Sequence, residues 1–258
     1  MSLVSRYRDD DSAPTIIGAG RDLVVRALLP ALALFAIGLG LGWMLVGPIG
    51  ASTGEDKVSV LAQADRTPTL DAIARIASEI GSVNGNAIIC ILSVVLVWAL
   101  TRRWWLAALP ALALALHVMI HIATSIIIAR PRPAVETLDI GQPTASFPSG
   151  HMGATTAQLL VVALFLCQRV LSRVWRAVII AAVTGYLLTL GWSRVYLGMH
   201  HLSDVLWGAV NGVACGLIAW LFLRRGSEPT EPEPDTDTDT DTDTDTGQVI
   251  RSLPAERG

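Results

Sequence analysis

The chain has 258 residues, 52% of them hydrophobic and only 16% charged, against about 25% charged in an average soluble domain. The charges stand in short clusters between long apolar runs, which excludes an ordinary water-soluble globule and fits a polytopic membrane protein. The net charge of −3 hides a basic membrane portion, because much of the acid follows Arg225, including six Asp-Thr repeats from Asp235 to Thr246.

In chain order, residues 1–21 form a polar segment, with Arg6 and Arg8 beside Asp9, Asp10 and Asp11. Six apolar runs follow, at roughly 27–48, 86–101, 104–128, 151–168, 175–192 and 202–223. Each is long enough, or nearly so, to cross a hydrocarbon core of about 30 Å at about 1.5 Å per residue. Asn84 and Gly85 are expected at the interface before the second run, and the Trp104-Trp105 pair reads as an aromatic anchor opening the third. Between the first two runs, Leu70, Ile73, Ile76, Ala77 and Ile80 recur at helical spacing, which predicts a short amphipathic helix on the bilayer surface or on the bundle. The expected fold is all-α: a membrane bundle of six transmembrane helices with one short extracytoplasmic amphipathic helix. The expected domains are a cytoplasmic segment 1–21, a membrane domain 22–225 and a disordered acidic tail 226–258. Cys90, Cys167 and Cys215 lie inside apolar runs without metal or disulfide spacing and read as small buried side chains. The first run starts too late and is too long for the core of a cleavable signal peptide.

Six spans put both termini on one side. Arg21, Arg26, Arg102, Arg103, Arg169, Arg173, Arg176, Arg224 and Arg225 all fall on that side, which the positive-inside trend makes cytoplasmic. Arg130, Arg132 and Arg194 stand on the opposite side at span ends, against the trend. Phosphate binding is one local reason for such placement.

Three segments converge on that opposite side: Arg130-Pro131-Arg132-Pro133, Pro148-Ser149-Gly150-His151, and Ser193-Arg194 followed by His200 and Asp204. His200 and Asp204 are four apart, which on a helix places them one turn apart on one face. A carboxylate so placed accepts the imidazole N–H, fixes the tautomer and stabilises the ring as it becomes positive, making His200 a nucleophile toward phosphorus. Arg194 is suited to bidentate contact with phosphate oxygens. Ser149 is a candidate N-cap for the fourth span, whose free amides bind anions, and a protonated His151 is able to donate to a leaving alcohol. Arg130 and Arg132 sit on a stretch stiffened by two prolines. No carboxylate cluster suggests a metal site, and the reaction class is metal-independent phosphoryl transfer, without a cofactor.

These three motifs, in this order, resemble the signature motifs of the type 2 phosphatidic acid phosphatase / vanadium haloperoxidase superfamily, over residues 125 to 204, and six spans resemble its membrane branch. The resemblance implies that His200 is the nucleophile, Asp204 its partner and His151 the general acid, with Arg132, Ser149, Gly150 and Arg194 holding phosphate. One position departs: where the family carries a lysine separated by six residues from the motif arginine, this chain has Ser125, and Arg130 is a candidate to take over part of that task. The resemblance implies a lipid phosphate or diphosphate phosphatase in a bacterial-type plasma membrane, whose partners are the bilayer and its lipid substrate rather than nucleic acid. Phosphatidic acid, phosphatidylglycerol phosphate and a polyprenyl diphosphate all fit. A phosphotransferase with an acceptor other than water, a vanadate-binding haloperoxidase and a catalytically silent lipid-phosphate binder are the alternatives. The six spans oppose the haloperoxidase, and Ser125 favours the silent homologue. His201 points about 100° away from His200 on a helix and reads as packing. His117 and His121, four apart on one face with Ser125, read as structure or pocket lining. Gly208, Gly212 and Gly216 are spaced for close helix packing, and Trp192 and Tyr196 read as interfacial anchors.

Overall fold

The computed structural model describes residues 6–7, 14–47, 50, 54–139, 145–170 and 172–223. The Asp-Thr repeats, Arg224 and Arg225 lie outside the described residues. Eight helices make up the described chain: α1 (Ile16–Val46), α2 (Asp56–Gln63), α3 (Pro68–Ile80), α4 (Val83–Thr101), α5 (Trp104–Ile128), α6 (Gly150–Arg169), α7 (Arg173–Tyr196) and α8 (Leu202–Leu221). Six of them, all but α2 and α3, are long and apolar enough to cross a membrane. The protein is therefore a multi-pass membrane protein of all-helical fold.

The first span begins at Ile16, well before the apolar run that predicts it. The apolar count misses this turn because Arg21, Asp22 and Arg26 interrupt it, yet Thr15 caps it by accepting from the Gly18 amide at 3.1 Å. A π turn at Val24–Leu28 precedes Pro30. Widening the helix there relieves the clash of a proline ring with the preceding turn. Tyr7 is anchored in the bundle. Its ring packs edge-on against Trp105 and Trp220, and its hydroxyl donates to the Trp220 carbonyl at 2.6 Å. This fixes Tyr7 at the end where α5 starts and α8 finishes. The opposite end holds the finish of α5, the start of α6, the finish of α7 and the start of α8.

Asn84 and Gly85, expected before the second span, lie inside α4, whose start is set by Ser82 accepting from the Gly85 amide at 3.1 Å. The amphipathic helix is α3, capped by Thr67 and opened by Pro68. Its small face, Ala74, Ala77 and Ser78, is buried against α7, while Ile73, Ile76 and Ile80 remain exposed. Helix α2 was not expected from the sequence, because eight residues carry too little apolar period to register.

Helices α6 and α8 pack most closely. A Cβ at Gly212 would lie 2.5 Å from the Gly153 carbonyl oxygen, and one at Gly208 would lie 2.7 Å from the Ser149 carbonyl oxygen. The absence of side chains lets the two backbones approach, bringing the start of α8 against the start of α6. Buried Asn86 on α4 ties to α6 through Gln158, at 2.8 Å, and Thr155, at 3.2 Å.

Candidate active site

The three motif segments meet at the end of the bundle opposite Tyr7. The first leaves α5 through Ala129, a non-glycine residue at φ 46°. That sharp turn directs Arg130 into the bundle, where it is 5% exposed. The third leaves α7 through Gly198 at φ 69°, where a side chain would also strike the Glu136 carbonyl; glycine meets both demands. The amides of Met199 and His200 then both donate to the Arg194 carbonyl, at 3.1 and 3.2 Å.

His200 is not on a helix. It precedes α8, which begins at Leu202 with His201 as its N-cap. The helical argument for a His200–Asp204 contact therefore fails, and Asp204 contacts His201 instead. Its carboxylate accepts from the His201 amide at 2.8 Å and lies 3.2 Å from His201 Nδ1. The same carboxylate accepts from Ser146 Oγ at 2.5 Å and from Arg130 at 2.6 Å.

The His200 ring is held from the loop before α6. Its Nδ1 lies 2.6 Å from the Ser146 carbonyl oxygen. A carbonyl only accepts, so Nδ1 carries the proton. Burial, joined by the charge of Arg194, pushes the His200 pKa well below its ordinary value. The ring is accordingly neutral near pH 7, with its lone pair on Nε2. The titratable groups acting on it include Arg194, Asp204 and His151.

Arg194, in the last turn of α7, is 1% exposed. Its Nη1 donates to Asp139 Oδ2 at 2.9 Å and to Ser78 Oγ on α3, and Ser78 in turn donates to Asp139 at 3.1 Å. Burial raises the Asp139 pKa, but the Arg194 hydrogen bond and charge outweigh it and hold the carboxyl below its usual range. His151, in the first turn of α6, keeps partial exposure. The titratable groups acting on it are Arg194, Asp139, His121 and Arg132. Arg132 Nη1 lies 2.8 Å from Met199 Sδ, beside His200 in the chain.

Ser149 is the N-cap residue of α6, but its side chain accepts no amide. Its own amide donates to the Asp204 carbonyl at 3.1 Å, and its buried Oγ has no partner. Ser149 and Gly150 leave the first amides of α6 without intrahelical acceptors. Arg130, a candidate phosphate ligand, has both terminal nitrogens on other groups: Nη1 on Asp204 and Ser203, Nη2 on Glu55 at 2.9 Å. Glu55 also accepts from the Ser203 amide and hydroxyl, fastening the segment before α2 onto the start of α8. Ser125 is buried in the last turn of α5, and the rings of His117 and His121 stack at 5.9 Å, facing Gly153 and Gly150 of α6. Sequence reading misses Ser146, Asp139, Ser78 and Glu55. They belong to no motif, and no spacing connects them to the residues they touch.

Fold and site together define a six-span membrane protein with a histidine–arginine centre at one end. Residues 104–227, which contain all three motifs, match the PAP2 superfamily. The chain is 30% identical over 131 residues to YbjG of Escherichia coli (strain K12), provisionally named an undecaprenyl-diphosphatase. That match covers 49% of this chain and 62% of YbjG, less than two thirds of the relative's length. Among solved structures, a transmembrane PAP2-type phosphatidylglycerolphosphate phosphatase from Bacillus subtilis superposes with a TM-score of 0.64 at 22% identity, covering 73% of this chain and 93% of that one. LpxE of Aquifex aeolicus superposes with a TM-score of 0.51 at 25% identity, covering 63% of this chain and 92% of its own.

Proposed function

We propose that this protein is a lipid phosphate or lipid diphosphate phosphatase that works through a phosphohistidine on His200, without a metal or other cofactor. The observation that carries this reading is the His200 Nδ1 contact with the Ser146 carbonyl at 2.6 Å, which leaves Nε2 unprotonated. In the proposed reaction Nε2 attacks phosphorus, and the bond to the leaving oxygen breaks. A protonated His151 gives that oxygen its proton. The ring, now positive, keeps its Nδ1 proton on the Ser146 carbonyl, and the nearby Asp204 charge favours it. Water then attacks the phosphohistidine, neutral His151 takes a proton from it, and inorganic phosphate leaves with His200 neutral again. Arg194, Arg132 and the free amides at Gly150 and His151 stabilise charge on the equatorial oxygens. Arg130 acts on Asp204 rather than on phosphate.

Membrane spans around such a centre suit a substrate with acyl or prenyl chains, and the relatives' names point the same way. The arginines at the Tyr7 end (Arg21, Arg26, Arg102, Arg103, Arg169, Arg173 and Arg176) favour a cytoplasmic Tyr7 end, and the proposed reading sets the active site on the extracytoplasmic side of a plasma membrane. The test is phosphate release from a panel of lipid phosphates and diphosphates by detergent-purified protein in EDTA, beside His200→Ala. Release in EDTA that His200→Ala abolishes supports the mechanism. No release from any substrate overturns it in favour of a silent homologue.

A further inference from the structure

Arg194 is the most deeply buried of the cations assigned to phosphate, at 1% exposure, and it is not waiting empty. Its Nη1 holds the Asp139 carboxylate at 2.9 Å, while its Nε is buried without a partner. Asp139 also acts electrostatically on Arg132 and on His151. One carboxylate thus stands among three of the groups that would receive a phosphate and protonate its leaving group. Its side chain is 27% exposed where that of Arg194 is 1%, so it lies on the open side of the arginine. The residue before it is fixed: Leu138 is 7% exposed, packs with Tyr196 and Met199, and its amide donates to the Leu197 carbonyl at 3.0 Å. Asp139 is therefore able to leave Arg194 by turning its own side chain, with the preceding backbone in place.

We propose that Asp139 is an internal ligand of Arg194 that phosphate displaces on binding and that recaptures the arginine as phosphate departs. The inference rests on the proposed phosphatase function and adds to it a residue that sets how tightly the phosphate group is held. The physical basis is exchange between two anions of different charge. A phosphoryl dianion outcompetes one carboxylate for the same guanidinium because it carries more charge and offers more acceptor oxygens. It cannot share Nη1 with a fixed carboxylate without strong repulsion at such short range. The returning carboxylate opposes retention of inorganic phosphate, the product that fits the same cations.

The test uses the full chain in detergent, with inorganic phosphate as the probe. Its dissociation constant is read from the rise in thermal midpoint with phosphate concentration and, independently, from competitive inhibition of lipid phosphate hydrolysis. Asp139→Asn and Asp139→Ala are each expected to bind phosphate about tenfold more tightly, equivalent to about 1.4 kcal/mol. Asp139→Glu is expected to stay near wild type. A carboxylate that merely held Arg194 in place would give the opposite sign, since its loss would loosen the arginine and weaken phosphate binding. Unchanged or weaker binding in both neutral variants, with wild type binding phosphate and hydrolysing lipid phosphates, overturns the inference and leaves the phosphatase reading intact. A wild type that neither binds phosphate nor hydrolyses any lipid phosphate overturns both.

Discussion

Arg130→Met is expected to destabilise the membrane domain by about 3–5 kcal/mol, the usual cost of removing one partner from a buried ion pair. The structure supports the upper part of that range. Asp204 is 0% exposed and loses its 2.6 Å contact with Arg130, leaving a buried carboxylate with only neutral donors and a histidine. Glu55, 15% exposed at its side chain, loses its 2.9 Å pair at the same time. At about 2–4 °C per kcal/mol for a domain of this size, the thermal midpoint in detergent should fall by about 6–20 °C. Glu55→Gln alone should cost less, because Gln keeps an acceptor for Ser203. Glu55→Gln combined with Arg130→Met should fall short of the sum of the two, with a coupling of about 0.5–3 kcal/mol. The assay is thermal unfolding followed beside KM for a lipid phosphate. An unchanged midpoint with a raised KM in Arg130→Met would refute the clamp and make Arg130 a phosphate ligand, as its place in the motif suggests.

Two further outcomes follow from packing and charge. Gly212→Ala should lower the midpoint by an amount equivalent to about 1–3 kcal/mol of overpacking, because its Cβ would lie 2.5 Å from the Gly153 carbonyl oxygen. Gly185→Ala, in α7 with nothing within 4 Å of its Cβ, should instead be neutral or raise stability by about 0.5–1 kcal/mol; equal effects at the two sites would refute the close α6–α8 contact. His200 has a folded pKa below its unfolded value of about 6.5, so the unfolded chain binds the extra proton. Its contribution is complete above about pH 6.5 and is lost as pH falls from there toward the folded pKa. The midpoint should therefore drop less between about pH 6.5 and pH 5 in His200→Ala than in wild type. An identical drop in both would show that the ring is not held neutral.

The sequence by itself determined the class of fold and the neighbourhood of the site. Six runs rich in Ala, Leu, Ile and Val carry their own evidence, because crossing a bilayer demands about twenty consecutive apolar residues and leaves a contiguous trace. The period of α3 is equally local, as are the three motifs, which lie at span ends on one side. Tertiary structure decided what those motif residues do to one another. The sequence pairs His200 with Asp204 through helical spacing, but α8 starts at Leu202, so the spacing has no helix to act on. The ring is held instead by a carbonyl 54 residues away, at Ser146. Arg130 pairs with Glu55, 75 residues away, and Arg194 is met by Asp139, 55 residues away. None of these partners sits at a periodic offset. Each arrives because span ends converge at one end of the bundle, and the pairing of charges there is set by three-dimensional proximity in a poorly solvated site, which no local pattern of residues encodes.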